Sequence, residues 1–308
     1  MADFDTDDLV LFSEEDVRCI GINMVSRKTP KQPLTVFRSH FGVSPVVLAD
    51  QFLDIQLSQD PDVLLDADDH SVKGLQGFLA AHYWLFVRPK SSRIMSTHLD
   101  MPERECRGKP LWRWIQKIHY LSRQKIRWEE RTDVPLSEEF EQFTITLDGT
   151  DFKTWEPKHP TRPIDRTYAS HKFKAAGLRY ELAISIKTGR CVWINGPFPA
   201  GTHDMTIFRT RLKQKIQPGE AIIADRGYQT SRQDEKFMST PSKFDSALVD
   251  KFKSRSRCRH ESFNGRIKHY GSMEQTWKNT PEKHKWAFVS VVVTLHYAME
   301  HGCHLFDA

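Results

Sequence analysis

Cysteine is scarce. Cys19, Cys106, Cys191, Cys258 and Cys303 are scattered along 308 residues with no Cys-x-x-Cys pair. An odd, dispersed set argues against a disulfide framework or a zinc knuckle, and a reducing compartment is the expectation. Long uncharged runs are missing too. Trp286 to Met299 lacks Asp, Glu, Lys and Arg, but falls short of the roughly 20 residues of a membrane span, so no membrane partner is expected. The opening Met1-Ala2-Asp3-Phe4-Asp5 is acidic, not the basic-then-apolar pattern of a secretory leader. At 39% hydrophobic and 28% charged residues, the composition excludes a disordered chain and suits one large or two modest domains.

Charge is unevenly spread. Residues 1–70 carry 5 basic and 14 acidic side chains, whereas the rest carry 40 and 26. A basic body favours a polyanionic partner, although a solvated basic surface accounts for the same numbers.

Three regions are expected. Residues 1–33 read as an acidic, weakly structured N-terminus ending in the linker-like Arg27-Lys28-Thr29-Pro30-Lys31-Gln32-Pro33. Residues 34–135 read as helical. There, 35–41, the turn residue Gly42, a cap at Ser44 and Pro45 at the first position of the next helix outline a helix-turn-helix. Such a unit either reads DNA or simply packs. Leu75, Phe78, Leu79, Tyr83 and Phe86 recur at helical spacing up to Pro89, and Leu111, Ile115, Ile118 and Leu121 form another apolar face.

The pattern changes after Ser137, so 136–308 reads as an α/β domain. Phe143, Ile145 and Leu147 alternate with Thr144, Thr146 and Asp148, as in a strand. Strands are also expected over 178–186 and 191–194, joined by a hairpin at 187–190, and over 221–224, an apolar run buried on both faces. Helices are expected over 204–211, around Glu261, and from Pro281 behind the cap Thr280 through 286–299. That last helix is expected to pack on the α/β domain.

Three acids stand out. Asp148 is read as closing the first strand, and Asp225 as closing the run before Arg226-Gly227-Tyr228. A carboxylate after four apolar residues is costly unless a cation or a hydrogen-bonded turn compensates it. Glu261 is the only acid in Lys251–Tyr270, a stretch rich in Lys and Arg; an ion pair with Arg257 one turn back is the simplest reading. Together the three supply hard oxygen ligands suited to Mg²⁺ or Mn²⁺ rather than zinc. Two such ions could serve phosphodiester chemistry. Arg255, Arg257, Arg259, Arg266 and Lys268 are candidate phosphate contacts.

Four segments in order carry a family resemblance. They are Leu147-Asp148-Gly149-Thr150, Gly201-Thr202-His203-Asp204-Met205-Thr206-Ile207-Phe208-Arg209, Ala224-Asp225-Arg226-Gly227-Tyr228 and Glu261-Ser262-Phe263-Asn264-Gly265-Arg266-Ile267-Lys268. Residues 143–270 resemble the catalytic core of DDE transposases, most closely the PIF/Harbinger-like and bacterial IS5-like group. The resemblance implies an RNase H-like mixed sheet flanked by helices. It makes Asp148, Asp225 and Glu261 the catalytic and metal-binding triad, holding two Mg²⁺ or Mn²⁺ ions for cleavage and strand transfer at transposon ends.

It further implies DNA as partner, a homo-oligomer when active, and, in the eukaryotic branch, a nuclear setting and often a Myb-like DNA-binding partner; elsewhere the setting would be cytoplasmic. Ser262 stands where the family often has Arg. Asp204 is read as a helix-start residue, His203 as structural, and Tyr228 as packing beside Asp225. Two other readings remain. One is a domesticated descendant that binds DNA or protein without catalysis. The other is a haloacid-dehalogenase-type phosphatase, whose Asp-x-Asp-Gly-Thr signature is spoiled by Thr146.

Overall fold

Ser13 explains why the N-terminal region is more ordered than its composition suggests. In the computed structural model, which describes residues 10–26, 30–132, 140–155 and 165–306, Ser13 caps helix α1 (Glu14–Val25). Its side chain accepts from Asp16 N, and the Asp16 side chain accepts from Ser13 N in return. This capping box, with three acids in the first turn, favours the helix end electrostatically. The expectation of little structure over 1–33 is therefore corrected for residues 14–25. The linker at 27–29 and the boundary near 135 fall outside the described residues.

The chain divides into two units. The first comprises residues 1–125, 269–272 and 286–303; the second comprises 126–268, 273–285 and 304–308. The first is helical. After α1 come α2 (Pro33–Phe41), α3 (Pro45–Gln56), α4 (Val72–Val87), α5 (Ser92–Leu99), α6 (Gly108–Tyr120) and α7 (Ser122–Lys125). Gly42 takes the left-handed conformation (φ 83°) that ends α2, and Pro45 begins α3, giving the helix-turn-helix outline.

α3 is nevertheless a packing helix. Val47, Leu48, Phe52 and Ile55 are buried, it has no Lys or Arg, and its only charges are Asp50 and Asp54. Phosphate contacts favour the opposite charge, and what the structure shows for α3 is packing.

The second unit holds a mixed sheet of β1 (Phe143–Lys153), β2 (Ala169–Ser170), β3 (Ala175–Ser185), β4 (Cys191–Pro199), β5 (Ala221–Ala224) and β6 (Met238–Ser239). β1 lies between antiparallel β3 and parallel β5. β4 runs antiparallel to β3, and β6 parallel to β5. With α8 (Asp204–Thr210) and α9 (Ala247–Lys268), this is the expected RNase H-like architecture.

The pleat of β1 sorts its side chains. Ile145 and Leu147 join Met205 and Phe208 of α8 in one core, together with Ile222 and Tyr228. Thr146 faces the other way, sharing a 2.9 Å hydrogen bond with His260 Nδ1 of α9. Full burial pushes His260 down to about 3, so that ring is neutral. β1 does not stop at Asp148, as the sequence suggested. Gly149 to Lys153 continue pairing, opposite Glu181 to Gly177.

α10 (Gly271–Glu274) and α11 (Pro281–Glu300) complete the chain. From Trp286 onward α11 belongs to the helical unit, contrary to the expected packing on the α/β domain. Ala287, Phe288, Val291, Val292 and Val293 are fully buried, and Ser290 Oγ donates to Ile115 O of α6 at 2.8 Å. A helix apolar on every side belongs at the centre of a bundle. No helix among the described residues is long and apolar enough to cross a membrane.

Candidate active site

Leu147 pairs with Ala224 across the parallel β1–β5 ladder. The next residue on each strand is an aspartate, so Asp148 and Asp225 emerge as neighbours. Asp225 is exposed and starts a tight turn, its Oδ1 accepting from Gly227 N at 2.8 Å. Its Oδ2 has no partner among the described residues. The hydrogen-bonded turn is thus real and uses only one of the two oxygens.

A third acid joins them. Asp204, the first residue of α8, accepts from Arg179 Nη1 at 3.0 Å. Its Oδ1 lies 2.6 Å from where a Cβ on Gly149 would stand, and its Oδ2 lies 3.3 Å from the same point on Gly227. The glycines beside Asp148 and Asp225 therefore make the room that Asp204 fills. Asp204 does not cap α8. His203 does, its Nδ1 accepting from Met205 N at 3.3 Å, in keeping with the structural role read for it.

Gly149→Ala is expected to push Asp204 off Arg179 and to cost about 1–3 kcal/mol through overpacking. Urea unfolding checks it, and an unchanged midpoint would contradict the close fit.

Arg179 anchors the arrangement. It grips Asp151 with two bonds (2.7 and 3.0 Å) and also donates to Thr202 O at 2.9 Å. Asp148 is held from the opposite side: Asn264 Nδ2 of α9 donates to its Oδ2 at 3.0 Å, while Asn264 Oδ1 is buried and unpartnered. Lys172 Nζ donates to Gly149 O at 2.7 Å.

Negative charge is in excess here. Burial, with Asp225 and Asp204 adding to it, pushes the Asp148 carboxyl up to about 6 against the pull of Lys172. Burial also raises Asp204, opposed by Arg179. The buried Tyr228 hydroxyl is pushed well above its usual range by burial and then by Glu181, Asp204, Asp148 and Asp225, and it packs beside Asp225 as expected.

Glu261 lies on α9 three residues before Asn264. It is exposed and makes no ion pair or hydrogen bond among the described residues, so the expected pairing with Arg257 is absent. No three His, Cys, Asp or Glu side chains among the described residues are grouped closely enough to hold a metal ion. The structure makes neighbours of Asp148 and Asp225 and leaves Glu261 one helical turn from Asn264, the hydrogen-bonding partner of Asp148.

The basic candidates divide. Arg259 is buried and donates to the carbonyls of Ser185 and Ile186; it fastens α9 to the sheet and is not open to DNA. Arg266 donates to His304 O at 2.8 Å, Arg255 lies 5.9 Å from the Phe306 ring, and Arg257 is half-buried. Lys268 is exposed and feels both Lys172 and Asp148, which places it in the field of the acids. The sequence reading missed Lys172, Arg179 and Asn264. Only Asn264 left a signal, its one-turn spacing from Glu261.

Two neighbouring acids at the ends of a parallel strand pair, on an RNase H-like sheet, narrow the kinship. Residues 147–297 match the family described as DDE superfamily endonuclease. This segment belongs to the DDE superfamily. The match begins at the Asp148 motif and continues past the Glu261 motif into α11, so the DDE domain takes in chain from both units. No curated protein and no solved structure matches the chain. Nuclease activity on DNA is the general chemistry of this superfamily, and divalent ions are its usual cofactors.

Proposed function

We propose that this DDE protein is a metal-dependent transposase-type endonuclease, which hydrolyses a phosphodiester at a transposon end and joins the freed 3′ end to target DNA. The supporting observation is the adjacency of Asp148 and Asp225, where burial and the neighbouring acids raise the Asp148 carboxyl against the pull of Lys172. By donor chemistry alone the carboxylates of Asp148, Asp225 and Glu261, with the unpartnered amide oxygen of Asn264, suit Mg²⁺ or Mn²⁺, all being hard oxygen ligands; as placed in this structure they are not grouped closely enough to hold an ion. Two divalent ions bound there would polarise the scissile phosphate and lower the pKa of the attacking water.

The protein's own groups do the rest. Asn264 Nδ2 fixes the rotation of Asp148, and Gly227 N fixes Asp225. Arg179 keeps Asp204 in place against Gly149 and Gly227. Lys172 and Lys268 supply positive charge beside the acids for the DNA backbone. Because α3 carries no basic residue, recognition of the end sequence falls to another surface or to a separate, Myb-like DNA-binding partner.

The test is strand cleavage of supercoiled plasmid and of element-end DNA in Mg²⁺ or Mn²⁺. Wild type is expected to cut, and Asp225→Asn to lose activity at least a hundredfold. Equal cutting by both removes the mechanism. A second reading, DNA binding without catalysis, is favoured by the lack of a three-acid group close enough to hold an ion among the described residues. The same assay decides it: metal-independent binding by wild type with no cleavage of any substrate.

A further inference from the structure

Beyond the acids, β1 runs on to a solvent-facing tryptophan. Trp155 is 60% exposed, costly for so large an apolar ring unless something uses it. Its backbone is held tightly: Trp155 N donates to Trp277 O and Trp277 N to Lys153 O, each at 2.8 Å. Trp277 is itself buried, its Nε1 donating to Thr280 O at 3.0 Å. The exposed ring therefore stands on a fixed support. Lys278 Nζ lies 4.8 Å from its centroid.

A second aromatic stands in the turn between β2 and β3. Phe173 is half-buried, with Lys153 Nζ at the end of β1 5.7 Å from its ring. Lys172, next to it, reaches Gly149 O beside Asp148. Lys153, Lys172, Lys174 and Lys278 are all exposed. From Asp148 to Trp155 is seven residues of near-extended chain, about 23 Å. Lysines interleaved with aromatic faces are what a single nucleic-acid strand requires: cations for its phosphates and rings for its bases.

We propose that Trp155 is a stacking platform for an unpaired base of the DNA strand that leads to the acid pocket, with Lys172, Lys153 and Lys278 tracking its backbone. The inference rests on the DNA-processing reading above and adds a subsite to it. Charge decides the occupant: Lys278 stands over the ring, and exposed Lys153 and Lys172 lie on the segments between it and Asp148, so a polyanionic strand suits it better than an apolar protein surface. Stacking tolerates any base, so the site supplies affinity for frayed or single-stranded DNA and not sequence choice.

The experiment measures binding of fluorescein-labelled oligothymidylate of 20 nucleotides to the full chain in EDTA, by anisotropy over a range of salt concentrations. Trp155→Ala is expected to weaken binding about fivefold to a hundredfold with an unchanged salt slope, and Trp155→Phe to restore most of it. Lys153→Ala is expected to reduce the salt slope by about one. Melting curves confirm that each variant is folded.

If wild type binds and Trp155→Ala binds as tightly, the platform is overturned and the DNA-processing reading stands. If Trp155→Ala keeps full DNA affinity but loses self-association, the surface belongs to a second copy and the platform is likewise overturned. If wild type binds neither this oligonucleotide nor duplex DNA, both readings fall.

Discussion

Asp148→Asn will make the metal-free protein more stable and, on the proposed function, abolish DNA cleavage. The Asp148 carboxyl titrates at about 6 in the folded chain, first because it is buried and then because Asp225 and Asp204 crowd it. In the unfolded chain it titrates near 3.9. Between those values the folded protein keeps a proton that the unfolded chain has released, so the fold loses stability as pH rises through this window. Above pH 6 the loss is complete, about 3 kcal/mol at most for a shift of this size.

Asparagine removes the charge, and its side-chain oxygen can still accept from Asn264. Without divalent ions at pH 7.5, the variant should melt a few degrees above wild type; at pH 4 the two should converge. Adding Mg²⁺ should stabilise wild type and leave the variant unchanged, because only wild type then gains a ligand for the folded state. Cleavage should fall at least a thousandfold. A variant that melts below wild type at pH 7.5 would show that the charge is not under strain.

Glu235→Ala will unfold the DDE domain more easily by about 3–5 kcal/mol. Glu235 is fully buried. Arg209 donates to both of its oxygens at 2.7 Å, Lys213 to Oε1 at 3.0 Å and Thr230 to Oε2 at 2.6 Å. The bond from Arg209 is the main reason its carboxyl titrates well below the usual range. Such a group contributes stability above the unfolded pKa, and that stability is lost as pH falls through the folded one.

Truncation removes the carboxylate that Arg209, Lys213 and, at 3.9 Å, Arg232 share. Of these, Arg209 is 37% exposed and Lys213 23%, so water relieves part of the penalty and the lower end of the range is expected. Glu235→Gln, which keeps the Thr230 bond, should cost less than Glu235→Ala. The measurement is the urea midpoint at pH 7. A shift below about 1 kcal/mol would mean that the cluster is peripheral.

Periodicity served best where one face of an element is buried. The alternation of Phe143, Ile145 and Leu147, the apolar run 221–224 and the helix at 204 all exist as read. The strand ends were not legible. Gly149 looks like a stop, yet its pairing with Glu181 is a long-range bond that no local pattern encodes. The helix at Glu14 was hidden for a different reason. Its acids read as disorder by composition, although Ser13 and Asp16 stand at capping-box spacing.

Charge misled most at Arg259. It is one of several arginines in a basic run, but it shares a helix face with Ser256 and Phe263, and that face is buried. The acids at 148 and 225 could be paired because each follows an apolar strand. That Asp204 joins them, and that Asn264 takes hold of Asp148, depends on contacts between distant segments, which the sequence does not display.

The central rod of the helical unit comes from the far end of the polypeptide. Its first helices are synthesised long before residues 286–299, which supply their interior. On the ribosome they must wait with an apolar cleft uncovered while the whole β-sheet segment is translated. Completion of that unit is thus kinetically deferred until residues 286–299 emerge.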